Sequence, residues 1–308
     1  LFLNLPYLFL NRKNTALEKL LWRIVSDGSE RFDTHFDLAV SYIEGGSAYY
    51  VHDHVSAAKK AAFIHVDYVQ AGYTRRLDKD CYVDFDRIFA VSDETAGVFA
   101  GVYPECQQKL SVFHNLIDTE AIRQKALLPA EKAMHEGIRL LTVGRLTPQT
   151  GFDCAVYALK LLLEKQYPVY WYIIGEGPEY GRLTQLARSL HGEDHFIFLG
   201  MQTNPYPYFK MADFYLHATR FEGKSIAIQE AQVLGCAIAA SDCSGNREQI
   251  VSGVDGLLCP FSPEGIANAV EYLIEHPQTA ESFGRAAAQK ACHFENDIHM
   301  IRDLLYSP

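Results

Sequence analysis

The chain has 308 residues, more than one hydrophobic core usually holds, so we expect two packed domains. Apolar residues make up 48% and charged residues 21% of the sequence, a profile that excludes a disordered or fibrous protein. The formal net charge of −10 argues against a surface built to neutralise nucleic-acid phosphates, and we expect no nucleic-acid partner.

The first residues and the cysteines together indicate a cytoplasmic protein. Residues 1–10 are apolar but lack a basic leader and a small-residue cleavage site, and Asn4 and Pro6 interrupt them, so we predict neither a signal peptide nor a transmembrane helix there. The seven cysteines form no Cys-x-x-Cys pair and have mostly apolar neighbours, which is typical of reduced, buried thiols rather than of a disulfide or zinc framework. They are Cys81, Cys106, Cys154, Cys236, Cys243, Cys259 and Cys292.

Short β-rich runs alternate with helical patterns along the chain. The predicted strands are residues 37–42, 60–65, 87–91, 110–113, 138–143, 169–174, 196–199, 214–216 and 237–240. Apolar strands separated by helices are typical of parallel sheets covered on both faces, so we predict an α/β fold with two Rossmann-like domains. We place the boundary near Asn115 to Glu136, with the first domain at 1–120, a linker at 121–136 and the second domain at 137–308, whose C-terminal helix is expected to return toward the first domain. Ligands of such sheets bind beyond the carboxyl ends of the strands, so function is expected in the loops there and in a cleft between the domains.

The strongest constellation lies in residues 220–231, which directly follow a predicted strand and then change to a helical pattern. Gly223 permits a close approach of the backbone. Lys224, Ser225 and Ile226 would open the helix, whose free N–H groups form a natural cradle for a diphosphate.

The same stretch contains two glutamates, Glu222 and Glu230, with seven residues between them. The carboxylate of Glu230 suits paired hydrogen bonds to a ribose diol, and Glu222 in the loop could face a sugar ring. Taken alone, this spacing is more often that of two solvated helix residues, so the interpretation depends on the neighbouring motifs.

Two further glycine-containing turns follow predicted strands. Gly144 and Arg145 come directly after the strand at 138–143, where the arginine and nearby backbone donors could bind the same diphosphate. The alternative is that Gly144 forms a tight turn and Arg145 pairs with a surface acid. The run Gly175-Glu176-Gly177-Pro178 follows the next strand, but Gly-x-Gly alone is a weak signal and more often a turn.

In this order, the motifs resemble retaining glycosyltransferase family four, which has the two-domain GT-B architecture and includes enzymes of bacterial polysaccharide and glycolipid assembly. The resemblance covers nearly the whole chain. In the second part it is carried by Gly144-Arg145-Leu146, Gly175-Glu176-Gly177-Pro178, Asn204-Pro205-Tyr206, residues 222–230, Leu234-Gly235 and Val254-Asp255-Gly256-Leu257-Leu258. In the first part it is carried by Ile64-His65-Val66-Asp67-Tyr68, Phe89-Ala90-Val91-Ser92 and Phe113-His114-Asn115-Leu116-Ile117-Asp118, the last of which is similar to the family's interdomain hinge.

The resemblance implies a hexosyltransferase that uses a nucleoside-diphosphate sugar, expected to be a UDP-sugar, and retains the anomeric configuration. It implies that Arg145 binds the donor diphosphate, Glu222 the transferred sugar and Glu230 the ribose, while His65 or Asp67 faces a saccharide or lipid-linked acceptor. The full expected donor set is Gly144, Arg145, Thr150, Glu176, Gly223, Lys224, Ser225, Ile226 and Glu230. We expect no cofactor beyond the sugar nucleotide and no metal, because histidines and acids do not cluster at zinc-like spacing. From the residues alone, His65 is more simply a buried histidine at a strand end and Asp67 a helix cap.

The sequence departs from the family pattern at two places. Thr150 stands where the family carries a lysine, so either Lys224 supplies the second cation or catalysis is weak or absent, and the alternative function is a noncatalytic partner subunit that binds a sugar nucleotide. The family's first strand and glycine-rich loop are not recognisable before Leu1, which predicts an N-terminal domain incomplete at its start. Gly45 and Gly46 could line the cleft or form a plain turn.

A basic and apolar segment near the start leaves the question of membrane contact open. Its basic residues are Arg12, Lys13, Lys19 and Arg23, and its apolar residues are Leu17, Leu20, Leu21 and Trp22. Such a helix could lie at the inner face of a membrane and meet a lipid-linked acceptor. It could equally pack on the core with its lysines in water.

Overall fold

A computed structural model describes residues 17–291 and 296–306 of the chain, with side chains from residue 19 onward. The strands are β1 (His35–Ser41), β2 (Ser56–Ile64), β3 (Arg87–Ala90), β4 (Leu110–Val112), β5 (Ile138–Val143), β6 (Val169–Ile174), β7 (Phe196–Gly200), β8 (Phe214–His217), β9 (Ala237–Ser241) and β10 (Leu257–Cys259).

The helices alternate with these strands. They are α1 (Leu17–Asp27), α2 (Gly46–His54), α3 (Arg75–Asp78), α4 (Asp93–Val102), α5 (Thr119–Lys125), α6 (Phe152–Glu164), α7 (Tyr180–Ser189), α8 (Tyr206–Met211), α9 (Ile226–Val233), α10 (Ser244–Arg247), α11 (Pro263–Glu275), α12 (Pro277–Ala291) and α13 (Ile298–Tyr306). Short 3₁₀ helices lie at Cys81–Asp84, Pro104–Lys109 and Pro148–Thr150.

The first compact unit contains residues 17–116 and 296–306. Its sheet has four parallel strands in the order β1-β2-β3-β4, with Phe63 of β2 opposite Phe89 of β3. On one face, Phe63, Phe89 and Phe113 pack with Leu304 of α13. The other face is buried against α2 and α4, so apolar residues point to both sides of these strands, as the continuous apolar runs predicted.

The second compact unit contains residues 117–291. Its sheet has six parallel strands in the order β10-β9-β8-β5-β6-β7. From β5, the chain runs outward through β6 and β7, then returns to the other side of β5 and runs outward through β8, β9 and β10. The strand order therefore reverses between β5 and β8, which is where ligands of open parallel sheets bind.

All nine predicted strands form, and β5 and β6 have the predicted bounds. The prediction missed β10, which is three residues long. The predicted α/β class with two Rossmann-like domains is confirmed.

The unit boundary lies between residues 116 and 117, before the predicted linker at 121–136. That segment begins within α5, whose Ile122 packs with Val233 and Ala291 of the second unit. The last described residues, 296–306, belong to the first unit, because Leu304 completes its core, and they contain the C-terminal helix that we expected to return toward the first domain.

The six cysteines within the described ranges are all free, as expected for reduced thiols. No helix among the described residues is long and apolar enough to cross a membrane. The predictions for residues 1–10, Arg12, Lys13 and Cys292 lie outside these ranges.

Two basic residues of the proposed membrane-facing helix turn inward. Arg23 is 5% exposed and its Nη1 lies 2.9 Å from Asp53 Oδ2, while the ammonium of Lys19 lies 3.7 Å from the centre of the Tyr73 ring. For these two residues the structure favours the core-packing alternative.

Candidate functional site

The loop after β5 is held in place by the backbone of the loop after β6. Gly144 N donates to Ile174 O at 3.0 Å, and Leu146 N donates to Glu176 O at 2.9 Å. Gly175 has φ +143°, and a Cβ there would lie 2.0 Å from Gly144 O. The predicted Gly-x-Gly segment is thus a backbone support for the Arg145 loop, and the exposed side chain of Glu176 is not part of that support.

Arg145 lies in the loop after β5, at the carboxyl edge of the sheet. Its side chain is exposed, and among the described residues it makes no hydrogen bond or ion pair. The alternative that Arg145 pairs with a surface acid therefore finds no support in the described part of the chain. Arg220 differs, since it is 2.8 Å from Asp153 Oδ2 and its guanidinium lies 5.1 Å from the centre of the Phe261 ring.

Thr150 has a structural role that the sequence analysis did not foresee. Its Oγ1 lies 2.7 Å from Arg145 O and 2.8 Å from Thr147 O, and it accepts from Thr147 N at 3.3 Å. Together with the Thr147 side chain this forms a capping box around the turn at Pro148–Thr150. Because a hydroxyl has one hydrogen, Thr150 has no further donor to offer a phosphate while these bonds are made.

The loop after β8 is tied to the loop after β5. Arg220 N donates to Gln149 O and Gln149 Nε2 donates to Phe221 O, both at 2.9 Å. The loop after β8 also packs closely against Gly245, because a Cβ at position 245 would lie only 2.0 Å from Gly223 O. The Arg145 loop and the Glu222 loop are therefore joined by backbone contacts at the point where the strand order reverses.

The first turn of α9 follows this loop. Ser225 is its N-cap and accepts from Ile228 N at 3.4 Å. Gly223 is buried, Lys224 is half-buried and Ile226 is exposed. The helix dipole concentrates partial positive charge at this end, which favours an anion there.

Glu222 lies next to a histidine at the end of β8. His217 Nε2 is 3.5 Å from Glu222 Oε2, and its Nδ1 is 3.3 Å from the hydroxyl of Tyr215. His217 is buried, and its Nε2 makes no hydrogen bond among the described residues. Glu222 is only partly exposed, so the pair forms a shielded polar group beside the loop.

Glu230 is half-buried on α9 and bound to the hydroxyl of Tyr206, which donates to its Oε1 at 3.0 Å. Burial raises the pKa of Glu230, although the Tyr206 hydrogen bond opposes the shift. Burial and the nearby Glu230 charge raise the pKa of Tyr206 to about 12. A partly desolvated carboxylate of this kind gains more from a new hydrogen-bond donor than a solvated one does.

In the first unit, His65 lies at the end of β2 beside a carboxylate. His65 N donates to Glu44 Oε2 at 2.8 Å, and His65 Nδ1 is 3.8 Å from the same oxygen. The ring also lies 5.8 Å from the Phe63 ring and 5.2 Å from the Tyr42 ring, centre to centre. Burial lowers the pKa of His65, in spite of the Glu44 charge that acts in the opposite direction.

Asp67 uses both carboxylate oxygens to cap the turn that follows it. Oδ1 accepts from Val69 N at 3.1 Å and from Gln70 N at 2.9 Å, and Oδ2 accepts from Gln70 Nε2 at 2.7 Å. This geometry matches the capping alternative for Asp67. Gly45, with φ +78°, is the N-cap of α2 and needs the glycine for its backbone conformation.

Sequence reasoning missed three side chains that contact predicted site residues. Glu44, Tyr206 and His217 contact His65, Glu230 and Glu222, respectively. The only signal for them was position, because Glu44 and His217 lie at or just after strand ends and Tyr206 lies within a matched family motif.

The two units, each with a parallel sheet between helices, have the GT-B fold, and the candidate site residues of the second unit lie near the point where its strand order reverses. The chain belongs to the family described as glycosyl transferases group 1, whose model matches residues 123–290. The resemblance seen in the sequence is thereby confirmed at the level of the family.

Individual proteins support the same assignment. The chain is similar to the N-acetylgalactosamine-N,N'-diacetylbacillosaminyl-diphospho-undecaprenol 4-alpha-N-acetylgalactosaminyltransferase of Campylobacter jejuni, at 29% identity over 200 residues that cover 64% of this chain and 53% of that protein. It spans about half the length of the curated relatives it matches.

Two solved structures share the fold. A glycosyltransferase from Rickettsia africae matches with a TM-score of 0.72 and 16% identity over 96% of this chain and 84% of that one. The Anabaena protein HepE, crystallised with UDP, matches with a TM-score of 0.67 and 18% identity over 80% of this chain and 71% of that one.

Proposed function

We propose that the protein transfers a hexosyl unit from a UDP-sugar to a saccharide or lipid-linked acceptor, with retention of the anomeric configuration. The observation that carries the donor assignment is Arg145, an exposed guanidinium with no partner among the described residues, located at the strand-order reversal. The UDP in the HepE crystals and the diphospho-undecaprenol in the name of the Campylobacter relative support the choice of donor and acceptor class.

In this proposal, the diphosphate binds between Arg145 and the first turn of α9. The guanidinium would make charge-assisted, bidentate hydrogen bonds to phosphate oxygens, and the helix start would add N–H donors and positive potential. Both interactions strengthen as the diphosphate departs and its charge grows, so they stabilise the transition state more than the bound donor.

The two glutamates take different parts of the donor. Glu230 accepts hydrogen bonds from the ribose hydroxyls, which exchange with or add to its bond from Tyr206. Glu222, next to His217, contacts the transferred hexose. His65 is the residue of the first unit assigned to the acceptor, while Asp67 shapes the loop beside it through its bonds to Val69 and Gln70.

The test begins with binding and ends with product stereochemistry. Calorimetry with UDP and UDP-hexoses should show binding that Arg145→Gln weakens roughly ten- to a hundred-fold, as expected for the loss of a hydrogen-bonded charge. Arg182→Gln is the matched control, because Arg182 is an exposed arginine that pairs with Glu179 on α7, and it should bind as wild type. NMR of the glycoside product should show the anomer of the donor. If Arg145→Gln and Arg182→Gln bind UDP equally well, Arg145 does not bind the diphosphate. If the product has the opposite anomeric configuration, the enzyme does not retain the configuration of the donor.

A second candidate function, a noncatalytic subunit that binds a sugar nucleotide, is favoured by Thr150. Its single hydroxyl hydrogen has two carbonyl acceptors within the turn, at the position where the family carries a lysine. This candidate predicts donor binding without release of UDP, even in slow donor hydrolysis without acceptor. Detectable UDP release that Glu222→Gln abolishes would exclude it.

A further inference from the structure

Three potential metal ligands of the first unit come together at the ends of two helices. Asp27 is the last residue of α1, and Asp53 and His54 are the last two residues of α2. One nitrogen of His54 and one oxygen of each carboxylate all lie within 4.8 Å of one another. Within the ranges that the structure describes, this is the one group of three such side chains.

His54 is the unusual member of this cluster. Its residue is 8% exposed, and neither Nδ1 nor Nε2 has a hydrogen-bond partner among the described residues. The ring stacks on Tyr50 with centres 5.4 Å apart and planes inclined by 24°, so its orientation is fixed by packing. A buried imidazole carries polar nitrogens that require a partner, and histidine is the side chain that most often binds metal ions.

The two carboxylates are in part already paired. Asp53 Oδ2 lies 2.9 Å from Arg23 Nη1, and Asp53 Oδ1 lies 2.5 Å from His52 Nδ1. Lys79 Nζ lies 3.9 Å from Asp27 Oδ2. Each carboxylate has about four lone-pair sites, so these contacts leave oxygen lone pairs for a further cation. The neighbouring Arg23 and Lys79 charges oppose that cation and set a modest affinity.

We propose that Asp27, Asp53 and His54 bind a divalent transition-metal ion of the zinc class, which joins the ends of α1 and α2. One imidazole and two carboxylates suit zinc better than magnesium or calcium, which prefer oxygen ligands alone. Ligand atoms around a tetrahedral zinc lie about 3.3 Å apart, so the ligand atoms, which lie within 4.8 Å of one another, have to approach by at most roughly 1.5 Å, with water as the fourth ligand. The site is separate from the sugar-nucleotide site, which lies in the second unit.

The sequence does not indicate Asp27, Asp53 and His54 as metal ligands, because their spacing is not that of a metal-binding motif. Asp53 and His54 are adjacent, whereas Asp27 is 26 residues before Asp53 on another helix. Only the packing of α1 against α2 brings the three together.

The experiment measures metal binding by the full chain after treatment with a chelator. Titration with zinc should show one equivalent with micromolar affinity, and zinc should raise the melting temperature. His54→Gln and Asp27→Asn should each weaken binding at least tenfold and abolish the thermal shift. His276→Gln, at an exposed histidine after α11, is the matched control and should bind zinc as wild type.

Cobalt provides a second readout that identifies the ligands. Co²⁺ at a histidine-carboxylate site gives weak visible d–d bands without the strong thiolate charge-transfer band that a cysteine site would give. Circular dichroism of the metal-free variants reports whether they fold, and the exposed position of Asp27 makes Asp27→Asn decisive if His54→Gln does not fold. Unchanged zinc affinity in Asp27→Asn, a thiolate band in the cobalt spectrum, or no saturable binding would overturn the proposal.

Discussion

Replacing Thr150 with lysine tests two opposing effects at one position. The substitution removes the Oγ1 contacts to Arg145 O and Thr147 O, at 2.7 and 2.8 Å, and thus breaks the capping box. Loss of such a cap costs about 0.5–2 kcal/mol of stability, which lowers a melting temperature by roughly 2–4 °C per kcal/mol in a domain of this size. Thr150→Lys should therefore be less stable than wild type in the absence of ligand.

The lysine introduced by Thr150→Lys should increase the affinity for the diphosphate. An ammonium about 4 Å from a phosphate oxygen contributes on the order of 1–4 kcal/mol before desolvation and side-chain ordering are subtracted, so we expect a net gain near 1 kcal/mol, or roughly five-fold tighter binding of UDP. The gain should shrink as salt rises, because this position is only partly shielded.

Thr150→Met is the matched control, since it loses the same hydrogen bonds but adds no charge. Calorimetry with UDP at low and high salt, together with melting curves, separates the two effects. If Thr150→Lys binds UDP no more tightly than Thr150→Met, residue 150 does not reach the diphosphate. The reasoning that transfers the family's lysine to this position would then be wrong.

Three other substitutions should change stability or UDP affinity in a defined direction. Glu230→Gln should be at least as stable as wild type near pH 7, because burial raises the pKa of Glu230 and so disfavours its charged form in the folded protein. The variant should bind UDP roughly ten-fold more weakly, because the ribose hydroxyls lose a charged hydrogen-bond acceptor. Asp78 on α3 is buried, and its carboxylate accepts hydrogen bonds from the hydroxyls of Tyr49 at 2.6 Å and Tyr103 at 3.2 Å. Burial raises the pKa of Asp78 to about 6, so the folded state binds the proton more tightly than the unfolded chain, and wild type should lose roughly 3 kcal/mol of stability as the pH rises from about 4 to about 6. Asp78→Asn should not show this loss. Gly175→Ala should destabilise the second unit by about 2 kcal/mol or more and weaken UDP binding, since its Cβ would lie 2.0 Å from Gly144 O.

Each of these has a distinct contrary result. Wild-type UDP affinity in Glu230→Gln would remove that residue from the ribose, and a stability difference between wild type and Asp78→Asn that does not change with pH would mean that Asp78 does not titrate in this window. For Gly175, the control is Gly181→Ala on α7, where a Cβ meets nothing within 4 Å and a small gain in stability is expected. A Gly175→Ala variant as stable as Gly181→Ala would show that the two loops do not need their close approach.

The strands were predictable because their burial on both faces leaves a continuous apolar run. In β6, Val169 to Ile174 are almost all buried, so the pattern alone defined both ends. In β10, three residues follow the turn at Asp255 and Gly256, too few for a period to be recognised. The division between the units at residues 116 and 117 falls within the predicted boundary region, but the packing of Ile122 in α5 against Val233 is a tertiary contact that no local pattern shows.

The sequence allowed candidate site residues to be named, but it did not show their contacts. Arg145, Glu222 and Glu230 could be named from their motifs and their place after strands. The partners Tyr206 and Glu44 lie 24 and 21 residues from Glu230 and His65, the residues to which they are hydrogen-bonded, so no local pattern joins them. Thr150 shows the converse, because its unexpected identity was visible in the sequence while its hydrogen bonds to the turn were not.

The first unit is assembled from two stretches of chain that are separated by the whole of the second. Residues 296–306 supply Leu304 to its aromatic face, and Asp297 accepts a 2.7 Å hydrogen bond from His114 N. During synthesis the second unit is therefore completed before residues 296–306 are made. It can fold while Phe63, Phe89 and Phe113 are not yet covered by Leu304. A chain that ends before residue 296 would therefore combine a folded second unit with a first unit whose aromatic face is uncovered, and exposed apolar surface of this kind promotes aggregation.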